Sequence, residues 1–111
     1  MISQRDIVLL SFPFSDLRSS KVRPAIVLSK NSYNHKSEDI IAVPLTTNIQ
    51  LRDYAILLTN EGLEQGRLIA DSKIKVDRIF SVEKKLVKMT IGKIKKEVQT
   101  KINDMLFELI D

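Results

Sequence analysis

The sequence lacks cysteine and contains a single histidine and only three glycines. Without cysteine there is no disulfide, thiolate metal site or cysteine nucleophile, and a reducing cytosol is the expected compartment. Because His35 is the only histidine, a two-histidine acid–base pair for phosphodiester cleavage is excluded. Its polar neighbours predict a solvated side chain without a catalytic role. There is also no glycine-rich phosphate loop and no nucleophile elbow. The common sequence motifs of phosphate and ester chemistry are therefore absent.

Long apolar runs are missing as well. No segment approaches the roughly 18 apolar residues of a membrane span, and Arg5 and Asp6 interrupt the run that a signal peptide would need. The carboxylates are scattered without metal-ligand spacing. We therefore expect a cytoplasmic protein that contacts no membrane and uses no metal or cofactor.

The residues that are present suit one small basic domain spanning residues 1–111. Apolar residues make up 43% of the chain, which is enough for a hydrophobic core. A chain of this length buries a modest fraction of its surface, so a dimer contact is a natural supplement. The net charge of +4 favours a polyanionic partner, nucleic acid before a membrane surface. Charge alone does not identify that partner.

Apolar runs rich in β-branched residues predict strands in the first half of the chain. The predicted strands are Asp6–Phe12, Arg23–Ser29, Ile40–Thr46 and Tyr54–Leu58. Polar segments at Ser15–Val22 and Asn31–Asp39 predict connecting loops. Pro24 suits the entry of its strand, whereas Pro44 marks an edge, a bulge or a strand end, because proline cannot donate to a ladder.

The second half of the chain changes its period. Between Leu68 and Phe80, apolar residues alternate with Lys73, Lys75 and Asp77, which predicts a half-buried strand with a charged outer face. A shorter alternation ends at Gly92. Helical spacing then predicts an amphipathic helix at about 95–110. Five or six short strands and one helix suggest a small, strongly bent sheet or barrel with the helix packed on it, and an open sandwich is the alternative.

Two short segments remain as candidates for chemistry. Arg23 begins a predicted strand, and Thr46-Thr47-Asn48 ends another. Taken alone, an arginine before a proline is an ordinary exposed residue. Threonines followed by asparagine are an ordinary exit from a strand into a turn.

Their combination is more specific. The fragments occur in the order Asp6-Ile7-Val8-Leu9 with Phe12-Pro13, then residues 21–29, then residues 42–48, then Asp71-Ser72 with Val76-Asp77-Arg78-Ile79. With the terminal helix, this series resembles the MazF/PemK family, the toxins of type II toxin–antitoxin pairs, over nearly the whole chain. Arg5 departs from the family, in which glycine usually precedes the first-strand aspartate, and Arg78 replaces a frequent glutamine.

The resemblance implies a mainly β fold, an SH3-like barrel of the MazF/CcdB type with five to seven short strands and a C-terminal helix. It implies a homodimer that cleaves single-stranded RNA at specific sequences without a metal, and that a cognate antitoxin neutralises. Such toxin–antitoxin complexes bind DNA. The family's catalytic residues fall on Arg23 and on Thr46 rather than Thr47.

The chemistry of these two side chains agrees with that implication. Attack of the ribose 2′-OH on the adjacent phosphorus places negative charge on phosphoryl oxygens, and the planar donors of Arg23 can hold two of them. The Thr46 hydroxyl can donate to a phosphoryl oxygen or orient the 2′-OH. The expected products are a 2′,3′-cyclic phosphate and a 5′-OH, and the sequence does not identify the general base.

RNA recognition is expected from loop side chains that contact unstacked bases and phosphates. The candidate RNA-binding residues are Phe14, Asp16, Lys21, Thr47, Asn48, Ser72, Asp77 and Arg78. Several of them also have ordinary structural interpretations. Phe14 suits a core as well as a base stack, Asn48 suits a turn, and Asp77 with Arg78 suits a surface ion pair.

Two other functions remain open. A CcdB-like toxin shares this barrel but poisons DNA gyrase through its C-terminal end, which here is a plain amphipathic terminus, Leu109-Ile110-Asp111. A non-catalytic nucleic-acid-binding barrel would need the basic surface but neither Arg23 nor Thr46.

Overall fold

The structure, a computed structural model, describes residues 1–13, 20–50 and 52–111, with only the backbone for residues 12, 13, 20 and 21. These ranges contain eight strands and two α-helices. The strands are β1 (Asp6–Pro13), β2 (Ser20–Val27), β3 (Asp39–Thr46), β4 (Ala55–Leu58), β5 (Leu63–Gly66), β6 (Ser72–Lys75), β7 (Phe80–Glu83) and β8 (Val87–Ile94). The helices are α1 (Asn31–Lys36) and α2 (Lys96–Ile110).

The strands form one curled antiparallel sheet in the order β4-β6-β3-β2-β1-β8-β5. β7 pairs with the first half of β3, up to Ala42, and β6 pairs with its last two residues, from Leu45. Pro44 lies between these two partners, where that edge of β3 needs no donor. The mainly β class with a C-terminal helix is confirmed, and the count of eight strands exceeds the expected five to seven by one.

The central strands are apolar on both faces because each face has its own core. One cluster contains Ile7, Ile26, Val43 and Ile74, and the fully buried Ile102 of α2 packs into it. The second cluster lies on the other face. Its buried members are Val8, Leu10, Ala25, Val27, Ile40, Ala42 and Val82. Consecutive apolar residues in β1, β2 and β3 therefore point into opposite cores.

Helix α2 closes the first cluster, and its observed span agrees with the predicted helix at about 95–110. Val98, Met105 and Leu106 pack beside Ile102, at the spacing of one helix face. The last turn departs from the expectation, because Ile110 is 79% exposed rather than packed on the sheet.

The structure corrects the predicted loop at Ser15–Val22, because β2 already begins at Ser20. Residues 14–19 lie outside the described residues. Pro24 is consequently inside the strand rather than at its entry. Its ladder with β1 runs past the proline, whereas the ladder with β3 begins only at Ala25. At Pro24, β2 therefore has one paired neighbour.

The predicted loop at Asn31–Asp39 contains α1, six residues long. This polar helix is fixed by Asn34, which is 3% exposed. The Asn34 Nδ2 donates to the carbonyl of Ser29 at 2.8 Å, and the Ser29 hydroxyl donates to Asn34 Oδ1. A buried amide with local partners is invisible to a hydrophobic pattern.

The predicted continuous strand from Leu68 to Phe80 is wrong. Strand β6 covers only Ser72–Lys75, a 3₁₀ turn at Val76–Arg78 follows, and β7 begins at Phe80. The two short strands pair with different parts of β3, so the chain must bend between them. A period-two pattern does not reveal such a bend, because the buried Val76 keeps the alternation in phase.

Strand β5 was not predicted, because Leu63 is its only buried residue. The strand pairs with β8 where two glycine backbones approach closely. A Cβ on Gly66, which has φ of +81°, would lie 2.3 Å from the carbonyl oxygen of Ile91. No other residue fits there without displacing backbone.

Arg5 adopts φ of 77°, in the left-handed region that favours glycine. This conformation explains why glycine suits the position before the first-strand aspartate. Here the arginine side chain makes bonds that glycine cannot make. Its Nη1 donates to the carbonyl of Ile94 at 2.9 Å and lies 3.2 Å from Glu64 Oε1. The side chain thus links the start of β1 to the end of β8.

Candidate functional site

Arg23 and Thr46 lie on the neighbouring strands β2 and β3. The β2–β3 ladder ends at the pair Ala25–Pro44, so Arg23 and Thr46 each lie two residues beyond its last pair. Both point to the face of the second core cluster, since Ala25, Val27 and Ala42 on that face belong to it. Arg23 is exposed and Thr46 partly buried, so both lie just beyond the end of that core.

Thr46 has a paired neighbour on the other edge of β3. Thr46 pairs with Lys73 of β6, and Lys73 pairs with Leu57 of β4. Directly opposed residues in an antiparallel pair have Cα atoms about 4.5–5.5 Å apart and side chains on one face. Across the sheet, Thr46 therefore lies beside Lys73, while β2, the strand that carries Arg23, lies on the other side of β3.

The Thr46 hydroxyl is oriented by the turn that follows β3. Its Oγ1 accepts a hydrogen bond from the backbone N–H of Asn48 at 3.2 Å. A hydroxyl that accepts in this way still has its own hydrogen to donate. The next turn is similar, because Asn48 Oδ1 accepts from the N–H of Gln50 at 3.3 Å, leaving the Asn48 NH₂ group as a donor. Asn48 therefore caps a turn.

A cleft of about 250 Å³ opens beside Thr46 and is mostly polar. It is lined by Thr46, Asn48, Gln50, Arg52, Asp53, Ala55, Lys73, Lys75, Asp77 and Arg78. Four of these residues are cationic at neutral pH and two are acidic. Backbone from three separate regions builds the walls: the segment after β3, strand β6, and the turn at Val76–Arg78. A larger cavity of about 490 Å³ lies elsewhere, beside Ile2, His35 and Met89, and neither Arg23 nor Thr46 lines it.

Lys73 corrects the expectation of a charged outer face on this strand. It is only 5% exposed, and its Nζ donates to the carbonyl of Gln50 at 2.6 Å. Lys75 is half-buried. The segment after β3 covers this face of β6. The alternation of lysines with apolar residues therefore predicted correctly which way the side chains point, but not that this face is covered. Sequence reasoning missed Lys73 as a site residue for that reason.

The structure gathers some of the predicted RNA-binding residues and not others. Asn48, Asp77 and Arg78 line the cleft with Thr46. Thr47 is exposed beside it, and Ser72 is buried, its hydroxyl donating to the carbonyl of Ala70 at 3.1 Å. Phe14 and Asp16 lie outside the described residues, and for Lys21 only the backbone is described.

Asp77 and Arg78 are both exposed on the 3₁₀ turn that the buried Val76 anchors. The backbone N–H of Val76 donates to the carbonyl of Tyr54 at 3.0 Å, which holds the turn against the start of β4. Within the described ranges the ion pairs are Arg5–Glu64, Lys85–Glu83 and Lys93–Asp6. Asp77 and Arg78 are therefore not paired with each other, and both present their charges to the cleft.

No cluster of three or more histidine, aspartate or glutamate side chains has a metal-binding arrangement in residues 1–13, 20–50 and 52–111. Over the same ranges, no helix has both the length and the apolar character needed to cross a membrane.

A curled antiparallel sheet, a C-terminal helix and a cation-rich cleft at a strand end define a small β protein with a site suited to a polyanion. The chain belongs to the family of PemK-like, MazF-like toxins of type II toxin–antitoxin systems, whose sequence model matches residues 3–110. No curated protein sequence matches the chain significantly.

Solved structures agree with that membership at the level of the fold. A MazE–MazF complex from Deinococcus radiodurans has a TM-score of 0.84 at 19% identity, covering 98% of this chain and 95% of that one. An endoribonuclease in complex with its cognate antitoxin from a mycobacterial species has a TM-score of 0.73 at 16% identity, covering 97% and 93%. The Mycobacterium tuberculosis toxin MazF-mt6 has a TM-score of 0.74 at 15% identity, covering 94% of each chain.

Proposed function

We propose that this chain is a toxin that cleaves single-stranded RNA, with Arg23 and Thr46 as its catalytic residues. The observation that carries the proposal is the β2–β3 ladder, which ends two residues before Arg23 and Thr46 on one face of the sheet, with Thr46 lining a cation-rich cleft. Family membership supports it, as does the description of one structural relative as an endoribonuclease.

In this proposal the ribose 2′-OH attacks the adjacent phosphorus and the 5′-oxygen of the next nucleotide leaves. The products are a 2′,3′-cyclic phosphate and a 5′-OH. Negative charge grows on the phosphoryl oxygens, and the exposed Arg23 guanidinium can approach two of them at once. The site supplies this charge from the protein itself, so cleavage is proposed to need no metal.

Thr46 is proposed to donate its hydroxyl hydrogen to a phosphoryl oxygen. The hydrogen bond that it accepts from Asn48 N–H occupies one lone pair and leaves the hydroxyl hydrogen to donate. That arrangement favours donation to phosphate over the alternative in which Thr46 orients the 2′-OH by accepting from it. The group that removes the 2′-OH proton is not assigned.

Sequence preference is proposed to reside in the cleft walls. The Asn48 NH₂ group, the Asp77 carboxylate and the Arg78 guanidinium offer donors and acceptors to the edges of unstacked bases. Because these groups are spread over a turn and a loop, the cleft suits a single strand whose bases can splay apart. Thr47, Lys21, Phe14 and Asp16 remain candidate RNA contacts.

The chain is further proposed to act in the cytoplasm as a homodimer that a cognate antitoxin neutralises, and to bind DNA as the toxin–antitoxin complex. Two of the structural relatives are complexes with an antitoxin. Exposed apolar side chains at Met89, Phe107 and Ile110 leave surface for such contacts. Sedimentation at micromolar concentration tests the dimer, and a monomer there would contradict it.

The test is cleavage of an unstructured RNA in EDTA, followed by mapping of both new ends. We expect a cyclic phosphate and a 5′-OH from the wild type, and Arg23→Ala should lose at least about 100-fold in rate while keeping its melting temperature. Arg23→Lys, which keeps the charge but not the planar donors, should recover little. Full activity of Arg23→Ala, or a strict requirement for Mg²⁺, would contradict the mechanism.

The same preparation separates the two alternatives. Inhibition of DNA gyrase without any RNA cleavage would favour the CcdB-like function. Binding of RNA with no cleavage by the wild type, under any condition that preserves the fold, would favour the non-catalytic barrel.

A further inference from the structure

Lys73 is the one charged residue among the described residues that lies buried at the cleft and forms no ion pair there. Lys73 is 5% exposed, and its Nζ donates to one backbone carbonyl, that of Gln50. An ammonium group has three donors and a full charge. Burying such a charge without an anion is costly, and a bound anion would offset that cost.

The position of Lys73 indicates the ligand. It pairs with Thr46 across the β3–β6 ladder, on the side opposite to Arg23, and lines the cleft with Lys75 and Arg78. The neighbouring groups in the cleft are amides, a hydroxyl, cations and the carboxylates of Asp53 and Asp77; the carboxylates can accept from base edges but repel an acidic peptide, so the set matches a nucleotide chain better. We propose that Lys73 binds a phosphate of the RNA strand next to the threonine, as a phosphate subsite of the cleft. This inference rests on the proposed function.

A second interpretation must be separated from the first. The bond from Lys73 Nζ to the Gln50 carbonyl also ties the segment after β3 to β6, so Lys73 would be a structural support for Asn48 and Arg52. The two roles predict opposite effects of Lys73→Met. Gln50 is exposed, so water can replace the lost bond, and methionine removes an uncompensated charge while keeping the side chain's length. A phosphate site therefore predicts a higher melting temperature for the free variant, and a structural support predicts a lower one.

The experiment measures melting temperature and RNA affinity on the same samples. The probe is a labelled single-stranded 2′-deoxy oligonucleotide of mixed sequence, which lacks the nucleophile and cannot be cut. Its dissociation constant is measured from low to moderate salt for the wild type, Lys73→Met, Lys73→Arg and the control Lys88→Met. Lys88 is exposed on β8 and does not line the cleft.

We expect Lys73→Met to melt higher than the wild type and to bind more weakly, with a plot of log K against log salt less steep by about 0.7, the loss of one phosphate contact in a single strand. Lys73→Arg should keep the slope, and Lys88→Met should keep both the slope and the affinity. A higher melting temperature together with weaker binding is the signature of a ligand site.

Four results would overturn the inference. A wild-type slope in Lys73→Met excludes the phosphate contact while leaving the proposed function intact. A lower melting temperature in both Lys73→Met and Lys73→Arg assigns the residue to structural support. An equal loss of affinity for a polyglutamate peptide of the same charge assigns the ammonium to a carboxylate ligand. A wild type that binds no oligonucleotide contradicts both this inference and the proposed function.

Discussion

Arg5 combines an unfavourable backbone conformation with favourable side-chain bonds, and two substitutions separate them. Its φ of 77° costs an L-residue about 1–2 kcal/mol relative to the right-handed region. The hydrogen bond from Nη1 to the Ile94 carbonyl is charge-assisted and its side chain is 17% exposed, so we assign it about 1.5–2 kcal/mol. The ion pair with Glu64, whose side chain is 45% exposed, adds at most about 0.5 kcal/mol.

Arg5→Ala removes the side-chain bonds and keeps the strained backbone, so the free energy of unfolding should fall by about 2 kcal/mol. Arg5→Gly removes the same bonds but relieves the strain. About 0.5–1 kcal/mol of the stability gained by relieving the strain is lost again, because glycine has greater conformational freedom in the unfolded chain. The glycine variant should therefore be more stable than the alanine variant by about 0.5–1 kcal/mol, and less stable than the wild type.

Urea denaturation measures all three proteins, with the midpoints compared at a common slope. Glu64→Gln is the control, and its midpoint should move little because the ion pair is half exposed. If Arg5→Ala proves as stable as Arg5→Gly, the residue is not strained and the reasoning fails. If both equal the wild type, the bond to Ile94 contributes nothing to stability.

Two further substitutions test the site and the core. Thr46→Val should lower the cleavage rate by about 10–1000-fold with the fold preserved, while Thr46→Ser keeps the donor and most of the rate, as read from the initial rate on one RNA. A fully active Thr46→Val would remove the threonine from the mechanism. Ile102→Ala should cost about 2–5 kcal/mol in urea denaturation, because the side chain is fully buried between α2 and the sheet. The control Phe107→Ala, on the exposed face of the same helix, should cost much less, and equal losses would show that α2 does not pack through Ile102.

The sequence predicted the parts of the fold in which local pattern and burial coincide. The runs in β1 and β3 were found because both faces of these strands are buried, and α2 was found because Val98, Ile102 and Met105 recur at helical spacing. The bend between β6 and β7 was missed, since it is set by pairing with two parts of β3 that lie far away in the sequence, as in the pairs Leu45–Ile74 and Ala42–Phe80. Helix α1 was missed because a buried asparagine, rather than an apolar stripe, holds it in place.

The candidate site shows the same division. Arg23 and Thr46 were named from their motifs, but the proximity of the two strands that carry them depends on the pairing of β2 with β3, which no local pattern contains. Lys73 was assigned to a solvated face because alternation reports which way a side chain points. Whether another segment covers that side depends on residues distant in the sequence, here the residues after β3, which include Gln50.

The change of partners along β3 at Pro44 has an evolutionary consequence. On the edge of β3 that faces away from β2, the residues before the proline pair with β7 and those after it pair with β6, which in turn pairs with β4. Substitutions at 47–50, at 52–53 or in the turn at 76–78 alter the cleft without altering a residue that pairs with β2. In related chains, the cleft can thus vary in sequence while β2, the strand that carries the arginine, stays unchanged.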